Sequence, residues 1–308
     1  MAKWTEADIP DQSGRTALVT GANSGLGLRT AQVLSGRGAR VLMACRSPER
    51  GQRALERVLA GGGEAELVRL DLADLASVRA AAASVRELTG DALDLLVNNA
   101  GVMGGPLRRT ADGFELQFGT NHLGHAALTW LLMPALRARP GARVVTVSSL
   151  MHSVGALDLA DPNYEVRKYR QWHAYGQSKL ANLLFARELD RRLRAAGLDV
   201  TSVAAHPGTT ATELSANTAR AHGSSVMELG NKIIGRFSQP VEVGALPQLY
   251  AATAAGAEGG GYYGPDGFRG MRGHPAPATS SAASRDELAA ARLWDLTAEL
   301  TGVAPDPA

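Results

Sequence analysis

Six short apolar runs recur along the chain, at Thr16 to Thr20, Arg40 to Ala44, Glu66 to Leu70, Asp94 to Val97, Arg143 to Val147 and Val200 to Ala204. Each is nearly continuous in apolar residues, as a strand covered on both faces must be. Between them, residues 26–37, 48–60, 75–88, 113–139 and 175–196 are rich in Ala, Leu, Arg and Glu and long enough for helices. Few folds accommodate that alternation. Parallel neighbours need a crossover, and right-handed crossovers carry each helix back over the sheet, so the chain is expected to form a doubly wound α/β sheet with helices on both faces. With 45% hydrophobic and 20% charged residues in 308, disorder and fibrous architectures are excluded, and one large domain is expected over 1–308.

Composition also removes several functions. No run approaches the ~18 apolar residues of a membrane span, and Glu6, Asp8 and Asp11 stand where a secretory signal is basic and then apolar, so the expected address is cytoplasmic. A lone cysteine, Cys45, rules out an intramolecular disulfide and a cysteine-rich metal site. Thirty-two basic residues nearly balance 30 acidic ones, which leaves no footprint for nucleic acid.

Two regions break the rhythm. Residues 213–240 are polar and rich in Ala, Ser and Gly, and read as short helices inserted over a site. Residues 256–283 are rich in Gly, Pro and Ser, with Tyr262 and Tyr263 as a short last strand. Beyond them Ser284 and Glu287 have capping-box spacing before Leu293, Leu296 and Leu300, and Gly302 is placed to stop the helix.

The first run leads directly into Thr20-Gly21-Ala-Asn23-Ser24-Gly25-Leu26-Gly27 and then a helix. Glycines in such a turn let the backbone approach a pyrophosphate, and the helix N-terminus offers free N–H groups to it. A Gly-rich turn needed only for packing is the alternative; the position after a first strand and before a helix favours the ligand. No Gly-Lys-Ser/Thr closes the turn, so it is not a P-loop. The second run ends at Ala44-Cys45-Arg46 without the acid that takes a ribose 2′-hydroxyl. Arg46 instead suits a 2′-phosphate, which favours NADP(H) over NAD(H), and the missing acid argues against an S-adenosylmethionine methyltransferase.

Tyr175 and Lys179 are four apart at the start of a helical stretch, hence on one face a turn apart. An ammonium beside a phenol, with an oxidised nicotinamide nearby, favours the phenolate and makes Tyr175 a candidate general acid or base. Ser148 and Ser149 end the fifth run and Asn98-Asn99-Ala100-Gly101 the fourth, both at the carboxyl edge where such sheets bind ligands. His122, His125, Met151 and His152 read as helix-face or pocket-wall residues, and Met151, His152 and Tyr263 as part of the wall that shapes a substrate pocket. Without carboxylate or thiol partners they form no metal site.

Taken together, Thr20-Gly-x-x-x-Gly-x-Gly27, Asn98-Asn-Ala-Gly101, Asn121, Ser149, Tyr175-x-x-x-Lys179 and Pro207-Gly208 closely resemble the short-chain dehydrogenase/reductase family over about residues 14–212. Ala-Cys-Arg46, Asn121-His-Leu-Gly-His125 and Tyr-x-x-Ser-Lys-Leu-Ala-Asn182 resemble the branch of retinol dehydrogenases and carbonyl reductases. The resemblance implies a single-domain, three-layer αβα Rossmann fold. It implies hydride transfer between a nicotinamide and a carbonyl or secondary alcohol of a small or medium apolar substrate. Tyr175 would transfer the proton, Lys179 would bind the nicotinamide ribose and lower the phenol pKa, Ser149 would hydrogen-bond the substrate oxygen, and Asn121 would hold a water linking Lys179 to solvent. The dinucleotide would lie against Gly21, Asn23, Ser24, Gly25, Leu26 and Gly27. Arg46 would select NADP, Asp71 and Leu72 would bind adenine, Asn98 would lie beside the adenosine ribose, and Ala100 and Gly101 would also bind the cofactor. Pro207, Gly208, Thr210 and Thr212 would frame the nicotinamide. Pairing of protomers into a dimer or tetramer would use helices 113–139 and 175–196. A protein of the same fold that binds the dinucleotide as a sensor or scaffold is the alternative, against which the intact Ser149, Tyr175 and Lys179 speak.

Overall fold

The computed structural model describes residues 3–210 and 238–307. Eight strands form one sheet in the order β3-β2-β1-β4-β5-β6-β7-β8. They are β1 (Thr16–Thr20), β2 (Arg40–Cys45), β3 (Glu64–Arg69), β4 (Leu95–Asn98), β5 (Ala142–Val147), β6 (Val200–Ala205), β7 (Tyr262–Pro265) and β8 (Pro275–Pro277). All neighbours are parallel except β7 and β8. The strand order reverses between β1 and β4, so a crevice opens beyond their carboxyl ends.

The helices are α1 (Gly25–Gly36), α2 (Pro48–Leu59), α3 (Leu75–Thr89), α4 (Leu116–Phe118), α5 (Gly124–Arg137), α6 (Gln171–Ala195), α7 (Val241–Thr253) and α8 (Glu287–Thr301). Alternate residues of each central strand feed opposite cores. Leu18, Leu42, Leu96 and Val144 pack with α3, α5 and α6, whereas Val19, Met43, Val97 and Val145 pack with α1, α2 and α7. That two-sided burial is why the strands read as unbroken apolar runs.

The expected helix over 113–139 is α4 and α5 joined by a single π turn, Gly119–Leu123. It starts later than expected because Gly113 takes a positive φ of 89° and Glu115 caps the helix, accepting from the Gln117 and Phe118 N–H groups. The start of α6 is earlier than expected. Gln171 anchors it, its side-chain oxygen accepting from Gly105 N–H and its carbonyl from Gln117. The Ser284–Glu287 capping box does not form. Asp286 caps α8 by accepting from Ala289 N–H, and Ser284 sits in the preceding turn, where its hydroxyl donates to the Ser281 carbonyl. Gly302 ends α8 in the left-handed conformation, as read from the sequence.

The helix α8 lies across α5 and α6. Trp294 stacks on Phe185 at 5.4 Å between ring centroids, meets Trp130 edge-on at 4.8 Å, and carries the Arg192 guanidinium 4.8 Å from its ring. Arg187 of α6 donates to the carbonyl and hydroxyl of Ser284. The chain's own C-terminal helix thus packs against part of α5 and α6, the two helices expected to pair protomers. Most of the expected segment 213–240 lies outside the described residues. Removing the Trp294 ring leaves a hole between three elements, and Trp294→Ala is expected to cost about 3–5 kcal/mol in a denaturant titration.

Candidate active site

The turn after β1 is built for backbone proximity. Gly21 and Gly25 have positive φ values of 66° and 53°. A Cβ on Gly27 would lie 2.4 Å from the Gly21 carbonyl oxygen and 2.5 Å from Asn99 Nδ2. The Thr20 hydroxyl accepts from the Asn99 and Ala100 N–H groups at 2.9 and 3.0 Å, and Asn99 Nδ2 donates back to the Thr20 carbonyl at 2.8 Å. These bonds tie the carboxyl ends of β1 and β4 together. Ser24 makes no side-chain cap bond at the start of α1, as is also true of α6 and α7, so the first N–H groups of α1 are left free above the glycines. A glycine cradle under a helix start that no side chain caps fits the pyrophosphate of a dinucleotide.

Beyond β2 and β3, Arg46, Arg69, Asp71, Asp74 and Ser77 line a concavity of about 520 Å³. Arg46 and Asp71 thus share one hollow, as an adenosine 2′-phosphate and an adenine would require. The Asp71 carboxylate also accepts from Ala73 N–H, which shapes this turn. Two other residues lie differently from the sequence reading. The Leu72 side chain is buried against α5, where Gly124 leaves room for its carbonyl. The Asn98 side chain is wholly buried and donates to the Thr129 hydroxyl of α5 rather than facing the crevice. Only the backbone of Leu72 and Asn98 is left for adenosine. Its neighbour Asn99 is the residue that reaches the glycine turn.

Ser149, Tyr175 and Lys179 come together at the carboxyl end of β5. Tyr175 is only 5% exposed and Lys179 3%. Burial pushes the Tyr175 phenol up to about 12, opposed by its hydrogen bond with the Ser149 side chain. Burial also lowers Lys179 to about 8. The Lys179 ammonium donates to the Val147 carbonyl at 3.0 Å and lies 5.8 Å from the centre of the Tyr175 ring. Ser149 begins a short 3-10 turn, its hydroxyl accepting from Met151 N–H. Ser148, by contrast, faces inward and donates to the Lys179 carbonyl. Of the two serines, Ser149 is the one directed at the phenol.

Asn121 sits in the π turn, a feature that recurs at functional sites because it displaces one carbonyl from the regular ladder. Its side chain is fully engaged, accepting from Val102 N–H at 2.8 Å and donating to the Val102 carbonyl and the Ser178 hydroxyl, each at 2.9 Å. Gly101 forms the floor here: a Cβ on it would lie 3.2 Å from Asn121 Oδ1 and 3.6 Å from Lys179 Nζ.

At the other wall, Gly208 has a positive φ of 62°, and a Cβ there would meet the Met271 carbonyl oxygen at 2.4 Å. The Pro207 carbonyl accepts from the Thr210 hydroxyl and from Gln239 Nε2. That bond spends the Thr210 hydroxyl on its own turn; Thr212 lies outside the described residues. Tyr263 is not a pocket wall. It is buried on the α7 side of the sheet, its hydroxyl accepting from Glu258 N–H. Strand alternation puts Tyr262 on the active-site side, ring to ring with His152 and His206, and its hydroxyl bonds to Ser148.

Residues 15–223 match the family model described as short chain dehydrogenase. Human retinol dehydrogenase 13 is 41% identical over 97% of this chain and 87% of its own length. Mouse polyprenol dehydrogenase is 43% identical over 96% of this chain and 86% of its own. Among solved structures, an uncharacterized protein from Mycobacterium paratuberculosis superimposes with a TM-score of 0.82 at 42% identity over 98% of both chains. Pseudomonas aeruginosa RhlG, in an active-site complex with NADP, superimposes at 0.65 with 27% identity over 81% of this chain and 94% of that one. The chain belongs to the short-chain dehydrogenase family, in its retinol dehydrogenase-like branch.

Because Gly27 has no room for a methyl group, Gly27→Ala is expected to abolish dinucleotide binding in a fluorescence titration while the far-ultraviolet circular dichroism stays native.

Proposed function

We propose that the chain is an NADP(H)-dependent carbonyl reductase or alcohol dehydrogenase acting on a small or medium apolar carbonyl or secondary alcohol. The observation that carries this reading is the convergence of the Ser149 hydroxyl, the Tyr175 phenol and the Lys179 ammonium at the sheet edge, beside a dinucleotide cradle. When bound, the nicotinamide supplies or accepts the hydride. The chain's own residues handle the oxygen and its proton. Ser149 donates to the substrate oxygen and orients it toward Tyr175, which gives up its proton on reduction and takes one on oxidation. At neutral pH Tyr175 is a phenol and Lys179, at about 8, is still mostly charged, so the pair is set to protonate an oxygen. The ammonium then stabilises the phenolate left behind. Asn121 fixes the floor under Lys179 through Val102 and Ser178.

Three observations support the finer choices. Arg46 shares its hollow with Asp71 and no acid ends β2, which favours a 2′-phosphate; RhlG was solved with NADP; and the relatives are named for retinol and polyprenol, both apolar alcohols. No described helix is long and apolar enough to cross a membrane. A dinucleotide sensor would have no use for a desolvated Tyr–Lys pair.

The test is NADPH oxidation with a panel of aldehydes and ketones. Tyr175→Phe is expected to lower kcat by about 10²–10⁴-fold, the usual worth of a positioned general acid, with NADPH affinity nearly unchanged; loss of affinity instead would refute the assigned role. Arg46→Ala is expected to raise the Kd for NADPH about tenfold or more, the scale of one charge-assisted bond, and to leave NADH nearly unaffected. Equal losses for both would remove the basis for NADP preference.

A further inference from the structure

One buried imidazole has no part in the chemistry above. His125, 2% exposed, lies in the first turn of α5. Its Nδ1 is 2.9 Å from the Asn121 carbonyl oxygen and its Nε2 is 2.9 Å from the Thr20 hydroxyl. Counting hydrogens fixes the ring. A carbonyl can only accept, so Nδ1 carries a hydrogen. The Thr20 oxygen already accepts two backbone N–H groups, from Asn99 and Ala100, which uses both lone pairs. Its single hydrogen goes to Nε2 at 2.9 Å or to the Val97 carbonyl at 3.3 Å, and the nearer and only consistent role for Nε2 is acceptor. A second ring hydrogen would point at an oxygen with no lone pair left. Burial disfavours that cation, as does the Lys179 ammonium of α6; His122, on the preceding π turn, is itself buried and neutral.

We propose that His125, held as the neutral Nδ1–H tautomer, is a positioning residue that ties the carboxyl end of β1 to the Asn121 carbonyl. Thr20 organises the turn beneath the dinucleotide cradle, and Asn121 lies in the π turn under Lys179. The imidazole makes the two halves of the site one rigid unit. A π turn displaces a carbonyl from the helix ladder, and an orienting donor keeps that carbonyl in one place. The network positions and does not conduct: beyond Thr20 its partners are backbone N–H and carbonyl groups, which pass no proton onward. In its effect on turnover the inference rests on the dehydrogenase reading.

Two substitutions separate the two bonds. His125→Phe keeps the ring and loses both. In His125→Asn the amide nitrogen falls near the position of Nδ1, which keeps the bond to Asn121 and loses the one to Thr20. The expected result is a split. NADPH Kd rises several-fold in both variants, whereas kcat falls about tenfold in His125→Phe, as for one lost hydrogen bond, and recovers in His125→Asn. The third readout needs no turnover. In ¹⁵N-histidine-labelled protein, with and without NADPH, the His125 ring is expected to show a pyrrole-type Nδ1 and a pyridine-type Nε2 without titrating between about pH 5 and 8; His152, whose Nδ1 donates to the Ser149 carbonyl and whose Nε2 accepts from Ser281 N–H, shares that tautomer. Assignment of that ring to His125 comes from its loss in the variants. A His125 ring that titrates there or carries its hydrogen on Nε2 would overturn the proposal, as would wild-type kcat and Kd in His125→Phe or an equally impaired kcat in His125→Asn. Should the wild-type protein turn over no carbonyl, the dehydrogenase reading fails, while the spectra and the NADPH affinities still decide the role of His125.

Discussion

A lysine ammonium that is almost entirely out of water, with no carboxylate beside it among the described residues, is costly, and the architecture around the sheet edge serves to hold Lys179 in that state. Burial alone pulls its pKa from 10.5 to about 8, so the charge is kept near neutral pH only narrowly. Its acceptor is a main-chain carbonyl, that of Val147 at the end of β5, shared with Asn182 one turn further along α6. The Ser148 hydroxyl fastens α6 to the same strand end through the Lys179 carbonyl. Helix, strand and charge are locked together at the point where Tyr175 and Ser149 meet.

The remainder of the fold fixes where that point lies relative to a dinucleotide. The reversal of strand order between β1 and β4 opens the crevice, and the reciprocal bonds between Thr20 and Asn99 close the strand ends beneath it. Gln248 reaches in from α7 to Thr30 of α1 and to Asn99, so a helix on the far face braces the same turn. On the other side α8 seals α5 and α6 with the Trp294, Phe185 and Trp130 cluster, which gives the helix that carries Tyr175 and Lys179 a firm backing.

The central strands were legible because burial on both faces makes each an unbroken apolar run; β1 was placed to the residue, and β2, β5 and β6 to within one residue at either end. At the edges the signal weakens. β3 begins two residues before the apolar run because its outer residues face water, and β8, with two prolines in Pro275-Ala276-Pro277, carries no strand signal and pairs only as an antiparallel edge. The residues whose chemistry depends on their own local spacing, the glycines of the α1 turn and the Tyr175–Lys179 pair, could be read directly. Those set by the direction of one side chain could not. Asn98 and Asn99 are adjacent amides, and only the pleat decides which enters the core; Tyr262 and Tyr263 are exchanged for the same reason. Ser284 and Asp286 both suit an N-cap, and the backbone chose the nearer one. The π turn at Asn121 has no composition of its own, and the bond from His125 to Thr20 spans 105 residues of sequence.

In the proposed reaction, hydride passes between a nicotinamide and a carbonyl carbon while Tyr175 handles the proton. The most direct measurement is isotopic. Stereospecifically 4-deuterated NADPH is incubated with the wild-type protein and a reactive apolar aldehyde, and the product alcohol is examined by mass spectrometry. One deuterium is expected on the carbinol carbon from one of the two labelled cofactor faces and none from the other. Binding of NADPH with no labelled alcohol across a panel of aldehydes and ketones would contradict it.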